Sequence, residues 1–284
     1  MSGAGASAGG AGGSPRPLGN PPVPSGGCDK PSPITNGKKT ITSGNEQRTY
    51  IIDIPDDYDM SKPYRLFYTS HWIDSTSEAV QQQNYYFLKP LANAANEPAI
   101  FVAPQSDGGT WQQKDHALFD DILAYVKANL CIDESRVFAT GFSFGGMITY
   151  SLSVNHQQQI RAAVGIAPAN YNIYVPPTKT HEPIAWMQTT GMSDGRCPWV
   201  QGNSTTNGAK FIAVEHATDN GCTVPAELPV WQQGGHFCYD FQGCKPGAPT
   251  RACTFNGDHT NVNNDPGSDV NWIAKESWEF FKQF

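Results

Sequence analysis

One pentapeptide in this chain of 284 residues has the makings of a nucleophile: Gly141-Phe142-Ser143-Phe144-Gly145. A G-x-S-x-G alone is a weak signal, because a chain with 28 glycines produces one readily by chance. Its context carries more. The motif closes the apolar run Arg136 to Gly141 and opens a helical stretch, the strand-turn-helix setting of a nucleophile elbow. A turn that tight strains the serine backbone, and flanking glycines remove the Cβ atoms that would collide with neighbouring strand and helix. Ser143 then presents its hydroxyl above a sheet, and the Phe144 amide lies at a helix N-terminus, where the dipole favours a developing oxyanion.

A serine hydroxyl needs a base and an orienting carboxylate, and in this setting they follow in the order Ser, Asp, His. Asp194, in Gly191-Met192-Ser193-Asp194-Gly195, lies just beyond a strand expected to end near Thr189. Of seven histidines, His259 falls after the last strand and before the closing helix, where the base belongs. His236, in Gly234-Gly235-His236, precedes that strand and would have to fold back to reach Ser143. His71 is expected at the pocket floor, and His116, His156, His181 and His216 read as surface or helix residues. The second oxyanion donor is expected from Ser70-His71-Trp72-Ile73-Asp74-Ser75, as the amide of Ile73 or of Trp72. Trp72, Tyr85, Tyr86, Trp111 and Trp199 lie near predicted strand ends and are candidates to stack on an aromatic substrate.

The elements that must position these residues alternate between strand and helix, which predicts a mainly parallel sheet covered on both faces, an α/β-hydrolase fold. Strands are expected at Gln47 to Ile54, Arg65 to His71, Ala99 to Ala103, Arg136 to Gly141, Ala162 to Ala167, Ile184 to Thr189 and Pro249 to Phe255. Helices are expected near Leu91 to Asn96, at His116 to Leu130, Met147 to Val154 and Ser204 to Thr218, and at Asp269 to Phe284 with Asp269 near the N-cap.

Residues 1–27 are dominated by Gly, Ala, Ser and Pro and read as a disordered linker or a tag, leaving 28–284 as one domain. A linker there would suit a carbohydrate-binding or docking module joined in front of the domain. The net charge of -7 gives no reason to approach a polyanion, so nucleic acid and anionic membranes are poor partners. No apolar run is long enough to span a bilayer. Seven cysteines without a C-x-x-C pair argue for disulfides and a secreted protein, with at least one thiol left over. Asn203-Ser204-Thr205 is a glycosylation acceptor. No metal site or phosphate loop is apparent, and no cofactor is expected.

With these motifs together, the chain resembles the fungal feruloyl esterases among the family 1 carbohydrate esterases. The resemblance spans nearly all of residues 28–284. It is strongest from Cys28 through C-D-K-P, in IPDDYDMSKPYRL (Ile54 to Leu66), in FATGFSFGGM (Phe138 to Met147), in the D-x-x-x-P after Gly191, and in F-x-G-x-H-T around His259. It implies hydrolysis of hydroxycinnamoyl esters on arabinoxylan, with Ser143, Asp194 and His259 in the family's catalytic positions, and a disulfide between Cys222 and Cys244. The chain departs from the pattern where glycines commonly follow H-W, here Ile73-Asp74-Ser75, and where a Gly commonly precedes the histidine, here Asp258. Acetylxylan esterases and polyester depolymerases would use the same three residues, and a non-catalytic polysaccharide-binding relative is a further alternative.

Overall fold

A computed structural model describes residues 19–284. Nine strands among them form one sheet. In chain order these are β1 (Gly37–Ser43), β2 (Glu46–Asp53), β3 (Tyr64–Ser70), β4 (Ile100–Pro104), β5 (Ile132–Phe142), β6 (Ala162–Ile166), β7 (Ala185–Gly191), β8 (Phe237–Asp240) and β9 (Thr250–Phe255). The spatial order is β1-β2-β4-β3-β5-β6-β7-β9-β8. The six from β4 to β9 in that order are mutually parallel, and β2 and β8 join antiparallel at either side.

Alternation along the strands sorts the core into two layers. Leu66, Tyr68, Val102, Val137, Ala163 and Trp186 face the helices α3 (Lys114–Asn129), α4 (Phe144–Ser153) and α5 (Ala209–Asp219). Phe67, Phe101, Phe138, Val164 and Met187 face α1 (Ser77–Gln82), α2 (Leu88–Ala94) and α6 (Trp272–Lys282). Both sheet faces are covered, so β4 and β6 are apolar without interruption and their parallel neighbours are almost wholly buried, which is why they were easy to read. β1 is an edge strand of alternating exposure carrying Lys38 and Lys39, and α1 is only six residues long. Neither carries an apolar run, and neither was expected.

Three expectations need correction. The N-terminal segment expected to be disordered through Gly27 is in place from Val23: the Val23 amide donates to Asp133 (2.9 Å), Ser25 Oγ donates to the Leu130 carbonyl (2.8 Å), and the Gly27 amide donates to Lys127 (2.9 Å). Backbone and hydroxyl hydrogen bonds, reinforced by the Cys28–Cys131 disulfide, hold a segment too poor in apolar side chains to be held by burial. Residues 1–18, the greater part of the expected linker, lie outside the described residues. The helix expected from Ser204 starts only at Ala209, after Gly208 at a φ of 115°. The closing helix is preceded by Asn271, not Asp269, with Asn271 Oδ1 taken by the Asn263 amide.

The cysteines form three disulfides, Cys28–Cys131, Cys222–Cys244 and Cys238–Cys253, and leave Cys197 free and buried. The second of these is the pair the family resemblance implied. No helix among the described residues is long and apolar enough to cross a membrane.

Candidate active site

The elbow begins with backbone crowding where β5 meets α4. A Cβ on Gly141 would lie 2.4 Å from the Gly145 carbonyl, and one on Gly145 would lie 2.1 Å from the Ser70 carbonyl oxygen of β3. Only glycine fits at either place, and the chain between them turns so sharply that Ser143 takes a φ of 57°. We expect Gly145→Ala to cost about 3 kcal/mol of stability, because the obstacle is backbone in a central strand that cannot step aside. Thermal unfolding checks this, and an unchanged midpoint would contradict the crowding. The helix starts at Phe144, three residues earlier than its apolar pattern suggested, so the Phe144 amide falls in the first turn, where it has no intrahelical acceptor.

The partners arrive from the neighbouring strand ends. Asp194 follows β7 and His259 follows β9, which pair side by side from Trp186↔Thr250 to Gly191↔Phe255. Beyond the sheet the two loops stay joined. The Met192 amide donates to Phe255 and the Ser193 amide to Gly257, both at 2.9 Å, and a Cβ on Gly191 would meet the Gly257 carbonyl oxygen at 2.4 Å. This junction brings residues 65 positions apart into contact: His259 Nδ1 lies 2.7 Å from Asp194 Oδ2. On the other edge of the ring, His259 Nε2 lies 2.7 Å from Ser143 Oγ. Asp258, where the resembling family commonly has glycine, accepts the His259 amide at 2.7 Å.

Asp194 is almost fully buried. Burial alone would raise its carboxyl pKa, but His259 and the Cys197 and Arg196 amides (2.7 and 2.8 Å to Oδ1) outweigh it and hold the value below the usual carboxylate range. The carboxylate is therefore charged at neutral pH and fixed in rotation. Beside it, burial first and the Asp194 charge second push the Cys197 thiol up to about 12, which leaves it an inert thiol at neutral pH. A hydroxyl, an imidazole and an oriented carboxylate in line can generate an alkoxide nucleophile and then protonate a leaving group.

The other histidines are otherwise engaged. His236 stacks on Trp272 (4.1 Å) and pairs with Asp265 (2.8 Å), not with Ser143. His116 and His216 are on helices but buried, not at the surface, and each meets a serine: Ser151 and Ser153, both at 2.8 Å. His216 Nδ1 contacts the Ile212 carbonyl where a catalytic histidine needs a carboxylate, so that pair is sealed structure. His156 is likewise buried, against Asp120, and only His181 of these four is exposed.

Among the five aromatic candidates the structure separates Trp72 from the rest. Its half-buried ring meets Phe142 edge-on at 6.1 Å, and Phe142 in turn lies against the His259 imidazole at 4.7 Å. Tyr85 and Tyr86 are core residues, with no face open to a ligand. Asn84, Tyr85, Tyr86 and Phe87 all take left-handed backbone angles (φ 51° to 64°), which turn the rings under the sheet. There Tyr85 stacks on Phe101 (4.8 Å), and the Tyr86 hydroxyl donates to the Ser70 carbonyl (2.6 Å). Trp111 is also buried, donating from Nε1 to the His71 carbonyl (2.8 Å). Trp199 packs half-buried beside α5, against a small cluster that includes Ala213 and Leu228.

Two contributors escaped the sequence reading. Phe142, inside the motif itself, floors the imidazole. Tyr171 braces the Asp194 loop through a 2.6 Å hydrogen bond to the Arg196 carbonyl, its own phenol pushed up to about 12 mainly by burial. The aromatic after Gly141 was visible, but nothing in its spacing says that its ring lies under residue 259.

No protein-family model matches the chain. It is 31% identical over 264 residues to feruloyl esterase D of Neurospora crassa, covering 88% of this chain and 87% of that protein. It is 33% identical over 254 residues to a probable feruloyl esterase C of Aspergillus terreus, covering 87% of each. Superposition on the acetyl xylan esterase from Aspergillus awamori gives a TM-score of 0.58 at 14% identity, over 87% of this chain and 100% of that one, a likeness of fold alone. At this level of identity, sustained over nearly the full length of both chains, the protein belongs to the fungal feruloyl esterase family, carboxylic ester hydrolases of the α/β-hydrolase fold.

Proposed function

We propose that this protein is a secreted serine esterase that releases hydroxycinnamic acids from feruloylated arabinoxylan, with Ser143, His259 and Asp194 as its catalytic residues. The observation that carries the reading is the unbroken line from Asp194 Oδ2 through the His259 ring to Ser143 Oγ, with 2.7 Å at each joint. His259 Nε2 takes the Ser143 proton as Oγ attacks the ester carbonyl, and Asp194 stabilises the imidazolium that forms. The Phe144 amide and an amide of the Trp72–Ile73 loop bind the oxyanion. Collapse of the tetrahedral intermediate breaks the bond to the sugar oxygen, which leaves with the proton from His259. Water, deprotonated by the same imidazole, then attacks the acyl-serine, and as the acyl–Oγ bond breaks His259 returns the proton to Ser143 Oγ and the acid is freed.

Secretion is supported by three disulfides and by the exposure of Asn203 in its acceptor triplet. The phenolic substrate is supported by the relatives named feruloyl esterase and by the Trp72 ring against Phe142, which in turn lies against His259. Rates on methyl ferulate, p-nitrophenyl acetate, acetylated xylan and a hydroxybutyrate oligomer decide the acyl group. We expect kcat/KM on methyl ferulate to exceed that for acetate release from acetylated xylan by at least about tenfold, about 1.4 kcal/mol, which a stacked aromatic ring readily supplies. The reverse order would move the assignment to an acetylxylan esterase.

A further inference from the structure

The loop after β3 supplies the second oxyanion donor in the reaction proposed above, and two of its amides compete for the task. Ser70 pairs with Gly141 in the parallel β3–β5 ladder, so the chain after Ser70 leaves the sheet beside the elbow, where a Cβ on Gly145 would lie 2.8 Å from the His71 carbonyl oxygen and the Trp72 ring meets Phe142. The Asp74 amide is spent on the Gly109 carbonyl (3.0 Å) and the Ser75 amide on the Trp72 carbonyl (3.2 Å). That leaves the amides of Trp72 and Ile73. All described peptide bonds are trans, so each N–H points opposite to the carbonyl of its own peptide unit.

The two carbonyls are held by different partners. The His71 carbonyl oxygen accepts Trp111 Nε1–H and lies 2.8 Å from where a Cβ on Gly145 would be, so it faces the α4 side and the Trp72 N–H faces away from it. The Trp72 carbonyl turns to the buried His71 ring and meets its Nδ1 at 2.7 Å, so the Ile73 N–H faces away from that ring. His71 is fully buried, and its Nε2 accepts the Ser106 amide at 3.1 Å, so the proton of the neutral ring resides on Nδ1 and donates to that carbonyl. Burial, which lowers the pKa of this imidazole, maintains that state.

We infer that His71 is a positioning residue for catalysis: by holding the Trp72 carbonyl in the core, its Nδ1–H turns the Trp72–Ile73 peptide so that the Ile73 amide, and not that of Trp72, completes the oxyanion hole with Phe144. The inference rests on Ser143 being the nucleophile and is indifferent to the acyl group, so any hydrolysed ester reports on it.

The test separates the two nitrogens of the ring. In His71→Asn the side-chain amide takes the place of Nδ1–H, whereas in His71→Gln the side chain reaches the Nε2 position and leaves the Trp72 carbonyl with the Ser75 amide alone, which does not tie it to the core. On p-nitrophenyl acetate we expect His71→Gln and His71→Leu to lower kcat by about 100-fold with KM within about threefold, the size of loss that follows removal of one oxyanion donor. His71→Asn should retain kcat to within about fivefold. An aryl trifluoromethyl ketone, whose adduct on serine carries the oxyanion, should bind the Gln and Leu variants weaker by the factor lost in kcat. A His71→Asn variant as impaired as His71→Gln, or a fall in kcat with unchanged ketone affinity, would overturn the inference.

A measurement on the unmodified protein stands should the variants fail to fold. Binding of the ketone should move the Ile73 amide proton strongly downfield in a 15N-resolved spectrum and leave that of Trp72 nearly in place, and the opposite pattern would overturn the assignment. A ketone that fails to inhibit the unmodified enzyme would instead remove Ser143 as nucleophile, and this inference with it.

Discussion

Replacing Ser143 with alanine is expected to lower turnover of methyl ferulate by about 10⁶-fold while leaving the fold and thermal midpoint nearly unchanged. The size follows from what the hydroxyl does. In the proposed mechanism its oxygen bonds to the acyl group, and without it only the oxyanion amides and the binding surface remain, which give a residual acceleration of about 10³- to 10⁴-fold over water. The fold should tolerate the change because the Ser143 side chain makes no hydrogen bond among the described residues beyond that to His259, and alanine fits the same backbone turn almost as well as serine does. Steady-state kinetics with a circular dichroism melt checks both halves. Turnover within tenfold of the unmodified enzyme would refute the assignment of the nucleophile.

Asp194→Asn is expected to cost about 10⁴-fold in kcat, and here the surroundings dictate why. Oδ1 of Asp194 accepts two backbone amides, from Arg196 and Cys197. An asparagine must keep its carbonyl oxygen there, since a side-chain NH₂ facing two N–H donors would leave all of them unsatisfied in a buried place. Its NH₂ group is thereby forced toward His259 Nδ1, which can then only accept. The ring proton moves to Nε2, where it points at Ser143 Oγ and blocks deprotonation of the hydroxyl. A nitrogen-15 spectrum of His259 would show the tautomer directly. A variant with the proton still on Nδ1, or with kcat within tenfold of normal, would contradict this account.

The three side chains proposed to react, which the structure brings into contact, were legible in the sequence because the chain order of an α/β-hydrolase is a topological consequence. Residues at the C-terminal ends of parallel strands must lie along one edge of the sheet, and β5, β7 and β9 were all readable as strands between turns. The aromatic candidates were harder. Tyr85 and Tyr86 stand in a polar, Gln-rich stretch that looks like an exposed loop, but four successive left-handed residues invert it and bury both rings. No local preference predicts such a run, because each residue pays for it individually and recovers the cost only in contacts with Phe101 and the Ser70 carbonyl, far off in the chain. Asn271 in place of Asp269 before the last helix is a smaller instance: both residue types cap helices well, and packing of Trp272 against Phe255 and His236 sets where the helix begins.

By itself, then, the order of amino acids determined the alternation of strands and helices, the elbow at Ser143 and the identity of its two partners, since these follow from periodicity and from which residue types a turn admits. Only the tertiary structure decided which rings face the site, how the cysteines other than Cys222 and Cys244 pair, and which way the Trp72–Ile73 peptide points. Those outcomes depend on contacts between segments tens of residues apart, whose energies are absent from any local stretch and exist only once the sheet has closed them together.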